Sequence, residues 1–221
     1  MSIVENLSDA VQRGRTEDAL SAIEEGLGMG LTAQELLDDG LLKGMSRLGA
    51  RFKNNDVFVP EVLLSARALN QGLSVLKPYL IDTGVEAKGL AVIGSVKGDL
   101  HDVGKNLVKM MLQGAGFEVV DLGVDVSDDQ FVEAIRGCHP DVLCLSALLT
   151  TTMGQMKLVI DAITATGLRD KVKILVGGAP ITAAFCAAIG ADGYAPDAVS
   201  AAELATAVLQ QASTQLTEVA R

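Results

Sequence analysis

From residue 89 onward, short apolar runs alternate with amphipathic stretches five times, and this alternation limits the possible folds more than any other feature. The runs at 89–96, 117–122, 141–146, 172–177 and 192–195 have the length and β-branched content of strands. The stretches 102–115, 127–137, 152–166, 180–189 and 197–212 have helical period. Apolar strands that are each followed by a helix predict a parallel sheet covered on both faces. In such sheets ligands sit beyond the carboxyl ends of the strands, near the point where strand order reverses.

The first 80 residues read differently. Ile3, Leu7, Ala10 and Val11 form one helical stripe, and Ala19, Ile23 and Leu27 another. Thr32 to Glu35 has the form of a capping box opening a third helix through Leu36, Leu41, Met45 and Leu48. Pro60 is placed to start a fourth, carrying Val62, Leu63, Ala66, Leu69 and Leu73. Short connections between four helices predict an antiparallel bundle. Pro78 to Lys88, with Asp82-Thr83-Gly84, reads as a connection. The expected organisation is a helical unit at 1–80, a linker at 81–88 and an α/β unit at 89–221.

Composition excludes several classes. The formal net charge of −10 opposes binding to nucleic acid or to an anionic membrane surface. No apolar run approaches the ~20 residues that span a bilayer, and the amino terminus has no signal-peptide pattern. Cys138, Cys144 and Cys186 fall in no paired spacing, which predicts reduced thiols and a cytoplasmic location.

The loops expected at the carboxyl edge of the sheet hold the candidate chemistry. After the first strand comes Gly98-Asp99-Leu100-His101-Asp102-Val103-Gly104, with one of only two histidines. An imidazole on a glycine-flanked loop suits a metal, and a carboxylate two residues away can fix which ring nitrogen faces it. After the third strand come Ser146 and Thr150, hydroxyls able to bind a polar part of a ligand or simply loop backbone. Gly177 and Gly178 follow the fourth strand, and Tyr194 to Ala198 the fifth. A glycine pair either ends a strand or lets a large flat ligand approach the backbone.

His139, in Cys138-His139-Pro140-Asp141, falls at the opposite, amino end of the third strand and reads as a turn residue. Neither a dinucleotide-binding glycine pattern nor a Walker loop is present. A phospho-acceptor receiver would need an Asp where Ser146 stands. Met110, Met111, Met153 and Met156 are expected in the core. Phe52 and Phe58 flank an Asn-rich connector and are expected inside the bundle, the alternative being an apolar side chain that covers the sheet-edge site.

Gly98-Asp99-Leu100-His101-Asp102-Val103-Gly104-Lys105-Asn106, Ser146-x-x-x-Thr150 and Gly177-Gly178, preceded by a bundle containing Val59 to Arg67, resemble the cobalamin-binding module of methionine synthase. The resemblance is closer to the stand-alone corrinoid proteins of methanol, methylamine, glycine-betaine and O-demethylation methyltransferase systems. It implies a flavodoxin-like (Rossmann-like) five-stranded sheet behind a four-helix cap, binding cobalamin with its dimethylbenzimidazole tail detached. It further implies that His101 is the lower cobalt ligand, that Asp99 hydrogen-bonds it, and that Ser146 extends the contact network toward the nucleotide. Gly98, Asp102 and Gly104 belong to the same motif. Thr150, the Gly177-Gly178 pair, Tyr194 and Ala198 would line the corrinoid or its tail. Phe52 and Val59 correspond to the apolar pair that covers the upper face, and Asp38 to a glutamate near the cofactor.

By the same resemblance, the chain carries a methyl group between a donor-specific methyltransferase and an acceptor methyltransferase that uses tetrahydrofolate or a thiol, with a reductive activase as a further partner. A ligand that attaches and releases suits such a carrier, and protonation of the Asp99–His101 pair biases its release. A cobalamin-dependent sensor is the alternative, and would call for a DNA-binding or output domain. A radical mutase subunit is a third reading, usually without such a cap.

Overall fold

The computed structural model describes residues 2–219, with side chains through residue 211. It divides into two compact units, one running to Ala87 with Gly114–Gly116, the other comprising Lys88–Gln113 and the chain from Phe117 onward.

The first unit is helical: α1 (Ile3–Gln12), α2 (Thr16–Gly28), α3 (Ala33–Glu35), a π-helical segment (Leu36–Leu42), α4 (Lys43–Lys53) and α5 (Val59–Asp82). Ser2 caps α1, and Thr32 with Glu35 closes the expected capping box. The expected third helix is therefore one helical run widened in its middle. Leu7, Ile23, Leu36, Leu41, Met45, Leu48, Leu69 and Leu76 form the core. Gly40 and Gly44 lie against α1, where any Cβ would meet Leu7 or the Ser8 backbone.

Two expectations are corrected here. Pro78 does not begin a linker, because α5 runs through it to Asp82. Its ring is exposed while Leu76 stays fully buried, so packing of the opposite face carries the helix across the missing N–H. Phe58 is not inside the bundle: it is 66% exposed at the start of α5, while Val57 is buried and Phe52 and Val59 are half-buried.

The second unit contains β1 (Gly89–Ser95), α6 (Val103–Gly114), β2 (Phe117–Asp121), α7 (Asp128–Cys138), β3 (Val142–Ser146) and α8 (Gln155–Ala165). Then follow β4 (Lys173–Gly177), α9 (Ala183–Ile189), β5 (Gly193–Tyr194) and α10 (Ala198–Val219). All five strands are parallel in the order β2-β1-β3-β4-β5. This doubly wound order has its switch point between β1 and β3. One face carries Val92, Leu143, Leu145, Ile174 and Val176, packed with Phe131, Ile135, Met156, Ile160 and Ile189. On the other face Leu204 and Leu209 of α10 close over Gly193 and Gly89.

The starts of α8 and α9 differ from expectation. Thr182 accepts from Phe185 N and delays α9 to Ala183. Residues 150–154 form turns before α8. Met111 and Met156 are core, whereas Met110 and Met153 are half-buried. Cys144 and Cys186 are buried free thiols and Cys138 is half-buried. Burial pushes the Cys144 thiol up to about 12.

Candidate functional site

The loop leaving β1 is pinned almost residue by residue. Gly98 has φ +80°, and its N–H donates to Asp125 Oδ1 at 2.6 Å. Asp99 N donates to Val96 O, and Asp99 O accepts from Asp125 N, both at 3.0 Å. The His101 carbonyl accepts from the buried Ser95 hydroxyl at 2.7 Å. Asp102 O accepts from Asn106 N at 2.7 Å as α6 begins.

Asp99 is fully buried, and every contact it makes suits an anion. Oδ1 accepts from His101 N at 3.1 Å and lies 2.8 Å from His101 Nδ1. Oδ2 accepts from Leu148 N at 2.7 Å and from the Thr152 hydroxyl at 2.7 Å. Burial pushes this carboxyl up, but the bonds from Thr152, Leu148 and His101 outweigh it and hold it well below the usual carboxylate range. An ionised carboxylate accepts only, so His101 Nδ1 carries the proton and donates. A neutral ring then has its lone pair on Nε2, which has no protein partner among the described residues.

The imidazole is half exposed, at 50%, although the carboxylate behind it is fully buried. Leu100 and Val103, next to His101 in the chain, and Leu148 and Leu149, in the loop that bonds Asp99, are all exposed, at 41–71%. Two loops from adjacent strands thus present one ring nitrogen amid apolar side chains. That surface suits a large, largely apolar ligand. Among the described residues no group of three or more His, Cys, Asp or Glu side chains could hold a metal ion. His101 therefore offers one ligand, which fits a metal that brings its own equatorial ligands, as a corrinoid does, and does not fit a bare ion.

The remaining candidates divide. Ser146 ends β3 opposite Ser95 and Gly177, and its carbonyl accepts from Val96 N at 3.0 Å. The hydroxyl that bonds Asp99 is that of Thr152. Thr152 was missed because Thr150, Thr151 and Thr152 are equivalent as sequence, and only the turn decides which hydroxyl faces inward. Thr152 alone is buried, while Thr150 is exposed.

Gly178 has φ +128°, and any Cβ there would run into the Ala147 carbonyl, so the fold itself demands glycine. A Cβ on Gly177 would lie 3.2 Å from Ala195 O, a tight fit. Tyr194 is half-buried in β5 and Ala198 buried at the start of α10. Asp102 and Gly104 are exposed. In the first unit, Phe52 and Val59 lie at the two ends of the connector between α4 and α5. Asp38 is exposed in the π-helical segment and accepts from Gln34 Nε2 at 2.6 Å.

Two family models, each described as a B12 binding domain, match residues 89–203 and residues 3–77. A dimethylamine corrinoid protein of Methanosarcina barkeri is 40% identical over 208 residues, covering 94% of this chain and 97% of that protein. The methanol:cobalamin methyltransferase complex MtaBC of the same organism contains a chain that is 29% identical, with TM-score 0.85, over 94% of this chain and 80% of that one. A cobalamin-binding protein of Desulfitobacterium hafniense DCB-2 is 28% identical, with TM-score 0.77, covering 93% and 98%. Among the described residues no helix is long and apolar enough to cross a membrane. The chain belongs to the B12-binding family and, within it, to the corrinoid proteins of methyltransferase systems.

Proposed function

We propose that this protein carries a methyl group on cobalamin between a donor-specific methyltransferase and an acceptor methyltransferase that uses tetrahydrofolate or a thiol. A reductive activase is a further partner. The relative from Methanosarcina barkeri is a dimethylamine corrinoid protein, so the donor we favour is a methylated amine. The observation that carries the reading is the half-exposed imidazole of His101 backed by the fully buried, hydrogen-bonded carboxylate of Asp99.

Bound cobalamin supplies a cobalt centre that accepts and gives up a methyl group. The chain supplies the surroundings. His101 would hold the cobalt through Nε2, and Asp99 holds the ring in that tautomer and orientation. Leu148 N and the Thr152 hydroxyl keep Asp99 anionic. Leu100, Val103, Leu148 and Leu149 expose apolar side chains that would pack against the bound cofactor. In this reading Gly98, Asp102 and Gly104 shape the His101 loop. Ser146, Thr150, Gly177, Gly178, Tyr194 and Ala198 line the channel for the nucleotide tail, and Phe52 and Val59 supply the apolar cover.

Visible spectra of the purified protein loaded with cobalamin test the ligand. We expect an imidazole-ligated spectrum that disappears in His101→Ala with loading retained; an unchanged spectrum overturns the assignment. Methylation of the loaded, reduced protein by purified partner methyltransferases, with dimethylamine and with methanol as alternative donors, tests the carrier role. No methylation from any donor would refute it.

A further inference from the structure

The segment that follows β2 does more than connect it to α7. Leu122 N donates to Ile93 O at 2.8 Å, Ser95 N to Gly123 O at 3.0 Å, and Val126 N to Ser95 O at 3.0 Å. A parallel bridge joins Val96 to Val126. The strand pairing of β1 and β2 thus continues past the end of β2, alongside the start of the His101 loop. Two carboxylates, Asp121 at the end of β2 and Asp125 in this segment, reach further.

Asp125 has φ +55°, a left-handed conformation that non-glycine residues adopt only at a cost. There it meets the loop reciprocally. Its Oδ1 accepts from Gly98 N at 2.6 Å and its own N–H donates to Asp99 O at 3.0 Å. This grip lies just before His101.

Asp121 acts on the other flank through two intermediaries. Lys105 is buried, at 3% exposure, and its Nζ lies 2.6 and 2.8 Å from the two Asp121 oxygens. The same Nζ donates to Asn106 Oδ1 at 2.8 Å. That bond orients the Asn106 amide so that its Nδ2 donates to Asp102 Oδ2 at 3.1 Å. Gly123 N and Lys109 also bind Asp121, at 2.9 and 3.2 Å, so its carboxylate is fixed from several sides. A buried ammonium is costly without such compensation. Here it holds the first turn of α6, and with it the residue after His101, against the end of β2.

We propose that residues 121–126 position His101 by clamping both of its flanks. Asp125 holds Gly98 and Asp99, while Asp121 holds Asp102 through Lys105 and Asn106. The contacts of Asp99 fix the ring tautomer; the clamp fixes where the whole loop presents Nε2. Asp121, Asp125, Lys105 and Asn106 are positioning residues, and none needs to touch the cofactor. The inference rests on His101 being the lower ligand.

The test uses full-length protein loaded with cobalamin and reads the ratio of imidazole-ligated to unligated cofactor in visible spectra. Asp125→Gly removes the side-chain grip and suits the positive φ. Asn106→Ala cuts the route to Asp102 and leaves the Lys105–Asp121 pair intact. We expect each to lower the ratio about three- to tenfold, the weight of one lost hydrogen bond, at unchanged loading. Asp125→Asn keeps an acceptor and tolerates the backbone, so it should stay within about twofold of the parent.

In cobalamin-free protein, 15N-histidine spectra give a second reading: the His101 ring signals should shift in Asp125→Gly and Asn106→Ala. Parental ratios and parental ring signals in both variants overturn the clamp, provided His101→Ala abolishes the ligated spectrum. If His101→Ala leaves that spectrum intact, the ligand assignment fails, and the clamp falls with it. If a variant does not load, the ring signals decide.

Discussion

At the amino edge of the sheet, Asp141 Oδ2 accepts from Leu90 N at 2.8 Å; at the carboxyl edge, Asp99 Oδ2 accepts from Leu148 N at 2.7 Å. In each case a carboxylate in a loop ties its own strand to a neighbouring element. Each also has a histidine two residues away, His139 before Asp141 and His101 after Asp99. The outcomes differ. His139 adopts φ +50° and caps α7 with its backbone, and its side chain makes no hydrogen bond among the described residues. Asp141 is exposed, whereas Asp99 is fully buried and holds its imidazole by Nδ1. An Asp and a His at this spacing do not make a site. A buried carboxylate with donors from a second loop does, because its unbalanced charge then has a defined place for the ring.

Truncating the two aspartates tests that contrast most severely. Asp99→Ala leaves Leu148 N without its acceptor inside the protein, and we expect a loss of about 3 kcal/mol in urea unfolding of the cobalamin-free chain. Asp141→Ala exposes its partner to water and should cost only about 1 kcal/mol. Equal losses would mean that burial does not separate the two edges. A smaller effect is expected at Thr152, whose hydroxyl donates to Asp99 at 2.7 Å. Thr152→Val should cost about 1.5 kcal/mol, with Thr152→Ser recovering most of it. If valine proves neutral by thermal unfolding, the bonds from Leu148 N and His101 suffice to hold the carboxylate. The mildest change is His139→Gly. Glycine relieves the left-handed backbone, so we expect a gain of about 0.5–1 kcal/mol in the same unfolding assay and no change in the cobalamin spectrum.

The carboxyl-edge loops could be placed from sequence because strand length, helical period and glycine positions all point the same way. The motif from Gly98 to Asn106 stood out for its histidine. Its buried supports were harder to find. Thr152 could not be told from its two neighbours, since a turn of unknown geometry decides which hydroxyl points inward. Nothing local marks Lys105 as buried, because its partner Asp121 lies 16 residues away. Phe58 looked like core by composition, yet the start of α5 turns it outward.

The sequence by itself determined the alternation that makes a parallel sheet, the helical unit before it and the edge on which His101 falls. These follow from periodicity and local caps, which act over a few residues. Only the tertiary structure decided that Asp99 is fully buried, that the Thr152 hydroxyl completes its hydrogen bonding, and that Asp121 and Asp125 reach the two flanks of His101. Those contacts join residues 16 to 53 positions apart. Such bonds depend on which loops the strand order brings together, and no local pattern encodes that.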